Sequence, residues 1–195
     1  MRNGLKAPAF TAAFAALAVL SATSALGQER PPLVGNPAGN VAPYYPTPIP
    51  VVRLMLETAE IEPGEVVYDL GSGDGRVVIL AARDHQAKAV GYELDPKLVE
   101  SSRRQIDKME LSDQARIVPG DLYAADVENA DVVTVYLLPR ALGKLRPLLE
   151  KKMKSGSRVV SHDFPIPGWE ADETLTYDET NEVDGLPHTV YLYKR

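Results

Sequence analysis

Val66-Val67-Tyr68-Asp69-Leu70-Gly71-Ser72-Gly73-Asp74-Gly75-Arg76 is the stretch from which the fold can be read. A short apolar run breaks into a glycine-rich turn, and Val77-Val78-Ile79-Leu80-Ala81-Ala82 carries the chain on as a helix. This is the pattern of a buried strand whose carboxyl end bears a ligand loop, as in open α/β sheets. Dinucleotide loops follow G-x-G-x-x-G and rest a pyrophosphate on the helix N-terminus. Here the third glycine comes one residue early, Arg76 stands where it is expected, and Asp69 precedes the loop. An acidic loop repels pyrophosphate and suits a ligand that carries positive charge.

Asp69-x-Gly71-x-Gly73-x-Gly75 resembles the first motif of class I S-adenosylmethionine-dependent methyltransferases. The resemblance implies that S-adenosyl-L-methionine, with its ammonium and sulfonium, is the cofactor. It places Asp69, Gly71, Ser72, Gly73 and Gly75 in the cofactor site.

Outward from the loop, the elements alternate. Helix is expected over 76–84, strand over 88–93, helix over 96–110 and strand over 116–119; strand 131–137, helix 140–153 and strand 158–162 follow. Such alternation predicts a parallel sheet with helices on both faces. Residues 174–177 and 189–194 are strands with no room for a helix between them, so they pair antiparallel at the sheet edge. The expected class is therefore α/β: a three-layer Rossmann-like sheet, mostly parallel, with a C-terminal antiparallel hairpin. That is the class I methyltransferase layout. Ahead of it, residues 51–59 have helical apolar spacing, and Pro63-Gly64 turns into the first strand.

The three segments of the chain differ in character. Residues 1–27 join Arg2 and Lys6 to an apolar run over 7–20 and a small-residue stretch ending Ala25-Leu26-Gly27, the three-part pattern of a secretory signal peptide. Uncleaved, residues 7–26 are long enough for a membrane anchor, with the domain outside. Export, or anchoring with membrane association through the N-terminus, is the expectation. A mitochondrial-type or cytoplasmic location is the alternative if this segment is not a working signal. Residues 28–50 form a Pro-rich arm, with prolines at 31, 32, 37, 43, 46, 48 and 50, and residues 51–195 form the methyltransferase domain.

Composition narrows the partners. The 195-residue chain has a formal net charge of −6, and loss of residues 1–27, which hold two basic and no acidic side chains, takes it to −8. Nucleic-acid binding needs clustered Lys and Arg, so no nucleic-acid partner is expected. Cysteine is absent, which excludes disulfides, reactive thiols and Cys-ligated metal, and no metal site is read from the motifs. The oligomeric state is not readable.

Glu93 ends the second strand, where a carboxylate can accept from both hydroxyls of a ribose. Asp95 is its rival, and also reads as the N-cap of a helix begun by Pro96. Asp121 follows the third strand. By the methyltransferase resemblance it would accept from the adenine amino group with Leu122 beside the ring; otherwise it is a turn aspartate. The fourth strand runs into Tyr136-Leu137-Leu138-Pro139, lacking the Asn/Asp-Pro-Pro of base-modifying amino methyltransferases.

Pro43-Tyr44-Tyr45-Pro46-Thr47-Pro48, the glycine loop, Gly91-Tyr92-Glu93-Leu94, Tyr136-Leu137-Leu138-Pro139 and Arg158-Val159-Val160-Ser161-His162 occur in this order. Together they are similar to the small protein-lysine methyltransferases that act on adenine nucleotide translocase and the ATP synthase c-subunit. In that family the aromatic-Pro-Thr segment is needed for activity. This implies an N-methyltransferase acting on a protein lysine or small amine, with Tyr44, Tyr45, Thr47 and Tyr136 forming an acceptor channel. His162 and Asp163 would help to shape it. Tyr136 could equally be core and His162 a hydrogen-bonded structural residue. A small-molecule methyltransferase of the same fold and an exported, non-catalytic nucleoside- or partner-binding domain are the alternatives. A nicotinamide oxidoreductase is disfavoured by the loop spacing.

Overall fold

The computed structural model describes residues 44–178 and 185–195. The signal or anchor segment 1–27 and residues 28–43 of the arm lie outside the described residues, as do residues 179–184. Strand β1 (Val66–Leu70) is an inner strand of a seven-stranded sheet. It is followed by α2 (Arg76–His85), β2 (Lys88–Glu93), α3 (Pro96–Lys108), β3 (Ala115–Pro119), β4 (Val132–Val135), α4 (Pro139–Lys152) and β5 (Arg158–His162), with α1 (Ile49–Thr58) ahead of it. The sheet ends with β6 (Glu173–Tyr177) and β7 (His188–Lys194). The spatial order is β3-β2-β1-β4-β5-β7-β6.

Strands β1 to β5 are parallel, β7 runs antiparallel to β5, and β6 is the outer edge. The expected hairpin is present with one refinement: its later strand, not its earlier one, docks on the parallel sheet. Val190 and Leu192 on β7 are buried while β6 is mostly exposed, so the apolar strand takes the inner place.

Residues of alternate parity feed two helical layers, because successive strand side chains point to opposite faces. Val67, Val132 and Val160 pack with Val51, Met55, Leu56 and Val77–Ala82 from α1 and α2. Val133, Val135 and Val159 pack on the other face with Leu142, Leu145 and Leu149 of α4. Helix α4 continues through Pro147, which forgoes one backbone hydrogen bond. Leu145 and Leu149 on either side are buried, and that packing holds the helix through the break.

Most element ends shift by one or two residues from the sequence reading, and two differences bear on the site. Strand β4 ends at Val135, so Tyr136 and Leu137 lie in the loop beyond it. A 3-10 turn over Leu122–Ala124, not anticipated, is capped by the Asp121 carboxylate, which accepts from the Tyr123 amide at 2.9 Å. Among the described residues no helix is long and apolar enough to cross a membrane.

Candidate active site

The sheet reverses its winding between β1 and β4, and ligands of open α/β sheets bind beyond the strand carboxyl ends at such a point. Asp69, the penultimate residue of β1, lies there. It is opposite Thr134 of β4, whose hydroxyl donates to Asp69 Oδ1 at 2.8 Å. Burial pushes the Asp69 carboxyl up to about 7; the Thr134 hydrogen bond pulls it down, and the Glu93 and Asp74 charges raise it again. Thr134 is the sole hydroxyl in an otherwise all-valine strand, and that is the only sequence signal that marked it.

The glycine loop is tied down from below. Gly71 and Ser72 amides both donate to the Tyr92 carbonyl at 2.9 Å. Glu93 Oε2 accepts from the Gly73 amide, and Oε1 from the Leu94 and Asp95 amides, each at 2.8 Å. The carboxylate at the tip of β2 therefore joins the glycine loop to the loop after β2 through three backbone donors, an arrangement the sequence did not disclose. Ser72 turns its hydroxyl inward against Gly91, where a Cβ would approach it to 2.5 Å. Its side chain therefore faces the sheet. The competing reading of Asp95 holds: its carboxylate accepts from the Lys97 amide at 2.8 Å and caps α3.

Above the loop lies the arm. Gly73 has φ +54°, and a Cβ on it would meet the Tyr44 ring at 2.7 Å, so the bare glycine backbone is the floor on which Tyr44 rests. Although Tyr44 as a whole is 49% exposed, partial burial and the Asp74 carboxylate push its hydroxyl up to about 12. Arg76 grips Asp74 with two nitrogens, Nε to Oδ1 at 2.9 Å and Nη2 to Oδ2 at 2.6 Å. Its Nη1 donates to the Thr47 carbonyl at 2.6 Å. Burial alone would raise the Asp74 carboxyl, but this guanidinium outweighs it and holds it low. Arg76 thus has a positive role in the place of the missing glycine: it fastens the arm to the loop.

Thr47, buried, also contacts His162 at the end of β5, Oγ1 to Nδ1 at 3.1 Å. The Tyr136 ring packs 4.0 Å from the His162 ring, and its hydroxyl donates to Asp163 Oδ2 at 3.2 Å. Tyr44, Thr47 and Tyr136 therefore belong to one continuous wall running from the glycine loop to the ends of β4 and β5. Tyr45 is half-buried beside them in sequence. Asp121 is exposed and spends one oxygen on its own turn, whereas Leu122 is buried. Side chains of Leu122 and Leu137 flank Gly71, 3.9 and 3.5 Å from where its Cβ would be. Two leucine side chains thus approach the bare backbone of Gly71, beside the buried acids Asp69 and Glu93. This donor set fits an adenosyl group bearing a cationic tail.

Comparison with known proteins agrees. The family described as the ANTKMT methyltransferase domain matches residues 69–173, from the loop aspartate to the start of β6. The chain belongs to this family. A protein-lysine N-methyltransferase of Saccharolobus islandicus is 44% identical over 77% of this chain and 92% of its own. The adenine nucleotide translocase lysine N-methyltransferase of Mus musculus is 35% identical over 66% of this chain, which spans only 56% of that protein. The crystal structure of an RNA methyltransferase from Salinibacter ruber with S-adenosyl-L-homocysteine is 45% identical. It superposes with a TM-score of 0.71 over 77% of this chain and 93% of that one. The protein is an S-adenosylmethionine-dependent methyltransferase with a Rossmann-like fold.

If Arg76 fastens the arm of this methyltransferase, Arg76→Ala should free it. Chymotrypsin should then cut after Tyr44 much faster than in the parent, Tyr45 being shielded by the proline that follows it, and stability should fall by about 1–2 kcal/mol. Arg76→Lys should rescue little, since an ammonium cannot span Asp74 and Thr47 at once. Unchanged cleavage would show that the arm is held by other contacts.

Proposed function

We propose that the methyl acceptor is the side-chain amine of a lysine in a protein, and that Asp69, Glu93, the glycine loop, Asp121 and Leu122 hold the cofactor. The observation that carries this reading is the wall of Tyr44, Thr47 and Tyr136 that runs from the glycine loop to the ends of β4 and β5. S-Adenosyl-L-methionine supplies an activated methyl group on a sulfonium. The protein's own task is alignment, desolvation and removal of a proton from the acceptor. With an ordinary pKa of about 10.4, fewer than about one lysine in a thousand is neutral at pH 7. Tyrosine rings at the mouth exclude water and lower that pKa by desolvation. Asp163 accepts the Tyr136 hydroxyl proton as a hydrogen bond, which turns the phenolic oxygen into an acceptor for the amine.

The names of the protein-lysine methyltransferase relatives from an archaeon and a vertebrate support the same acceptor. The Salinibacter ruber structure is named for RNA instead, and the acidic balance of the present chain speaks against that substrate here. The N-terminal segment is read as an export signal or anchor on the strength of its basic start, apolar run and small-residue end. Incubation of the purified protein with labelled S-adenosyl-L-methionine and separate membrane, soluble-protein and RNA fractions tests the assignment. Label should appear in protein and map to methyl-lysine by peptide mass spectrometry. Label confined to RNA or to small molecules would overturn it. Intact mass of the protein isolated from its native membranes or periplasm should show a chain beginning at Gln28 if the signal is cleaved.

A further inference from the structure

Beyond the tyrosine wall, His188 meets the neighbouring residues His162 and Asp163 in one buried cluster. His162 is the last residue of β5, Asp163 follows it, and His188 opens β7. Their side chains are all 2% exposed or less. His162 Nε2 and His188 Nδ1 are 2.9 Å apart. Asp163 Oδ2 is 3.4 Å from His188 Nδ1 and 3.5 Å from His162 Nε2.

The two imidazoles are within hydrogen-bond distance of each other, but the carboxylate does not complete a relay. In a relay the carboxylate would approach one imidazole at about 2.7–2.9 Å and leave the other to its neighbour. Here the oxygen is nearly equidistant from both nitrogens, beyond the range of a good N–H···O bond. A triangle with such sides has a centre roughly 2 Å from every corner, which is the Zn–N and Zn–O bond length. All three atoms can therefore ligate one ion with little movement.

The surroundings orient the ligands as metal sites do. A ligating histidine commonly uses its second ring nitrogen in an outer hydrogen bond that sets its tautomer. His162 meets this condition, with Nδ1 on the Thr47 hydroxyl at 3.1 Å. Asp163 Oδ1 accepts from the Thr189 amide at 3.1 Å, and the Asp163 amide donates back to the Thr189 carbonyl at 2.7 Å. That reciprocal pair directs Oδ2 at the imidazoles. It also holds Asp163 at φ +59°, a left-handed backbone that costs about 1 kcal/mol or more in a non-glycine residue and recurs at ligand clamps.

We propose that His162 Nε2, His188 Nδ1 and Asp163 Oδ2 form a binding site for a divalent first-row transition ion of the zinc type. Two imidazoles and one carboxylate suit zinc, cobalt, nickel or iron rather than calcium or magnesium, which prefer all-oxygen shells. The ion balances the buried carboxylate. It also joins the end of β5 to the start of β7, and through the His162–Thr47 contact it stiffens the arm that covers the cofactor loop. Its role is structural, on the acceptor side of the site, where Asp163 Oδ2 also accepts from the Tyr136 hydroxyl at 3.2 Å.

The test uses untagged full-chain protein stripped of metal with a chelator, then titrated with cobalt(II) chloride and, separately, with zinc sulfate. Cobalt should give visible d–d absorption that saturates at one ion per chain, and zinc should abolish it by competition. Zinc should raise the melting temperature by about 5 °C or more at saturation. Asp163→Asn and His188→Gln should each weaken binding at least about a hundredfold while far-ultraviolet circular dichroism shows the fold retained. No saturable cobalt absorption by the parent overturns the proposal and leaves the cluster as hydrogen bonds alone. Parent-like binding by folded Asp163→Asn also overturns it, by placing the ion elsewhere. All these readouts are independent of methyl transfer, so failure of the lysine assignment would leave them unchanged.

Discussion

Asp69→Asn should abolish measurable binding of S-adenosyl-L-methionine and, at pH 8, yield a protein more stable than the parent. The two effects have one cause. Asp69 is buried at the junction of β1 and β4 with the Thr134 hydroxyl as a hydrogen-bond donor, and burial raises its carboxyl to about 7 from an ordinary 3.8. Between those values the folded protein holds a proton that the unfolded chain has released. Stability therefore falls as the pH rises from about 4 to about 7 and stays low above it. Asparagine keeps the shape and the Thr134 bond but cannot ionise, so this loss disappears. The gain over the parent should be near zero at pH 4 and on the order of 2–4 kcal/mol at pH 8.

With Asp69 in its proposed place at the cofactor, the same ionisation should serve binding. A cationic ligand pairs with the charged carboxylate and repays its desolvation, so in the parent the affinity should fall roughly tenfold per pH unit below 7. Calorimetric titration between pH 6 and 8, with thermal melts of both proteins across pH 4 to 8, checks all three statements. Asparagine binding the cofactor within about threefold of the parent would remove Asp69 from the site.

Glu93→Ala should have the larger structural cost. Three backbone amides converge on this carboxylate, those of Gly73, Leu94 and Asp95, and the Gly73 bond is buried. Removing the acceptor leaves the Gly73 donor without its partner and lets both loops drift, for a loss of about 2–4 kcal/mol. Cofactor affinity should fall at least a hundredfold, by roughly 3 kcal/mol, because the loop that receives the ligand is no longer pre-formed. Glu93→Gln should not rescue. Both carboxylate oxygens accept from amides, so the NH2 of a glutamine must face an N–H whichever way it turns. Chemical denaturation and calorimetry separate the two residues: Asp69 variants lose binding with stability kept or raised, whereas Glu93 variants lose both. A Glu93→Ala protein as stable as the parent would show that the amides find water instead.

The fold and the glycine loop were legible because their signals are local. A strand, a loop of glycines at 71, 73 and 75, and acids at 69 and 93 recur at spacings that backbone geometry dictates. The strand–helix alternation sufficed for a parallel sheet, since short connections leave few other topologies. Asp121 shows where local reading stops: a turn aspartate at a strand end has the same signature whether it caps the turn or meets a ligand. In the structure the capping bond is plain.

What only the tertiary structure decided lies in contacts between distant positions. Thr134 meets Asp69 across 65 residues, Thr47 meets His162 across 115, and His188 meets His162 across 26. Sheet register and layer packing set these pairings, and no periodicity in the chain encodes which hydroxyl will face which acid. The sequence by itself determined the sheet, the glycine loop and the family of its cofactor. Folding decided that the arm is buckled to that loop by Arg76, that Glu93 braces the loop from beneath, and that two histidines and an aspartate meet behind the tyrosines. The reason is physical: helices, strands and turns follow from neighbours along the chain, whereas a site is assembled from residues that only packing makes neighbours.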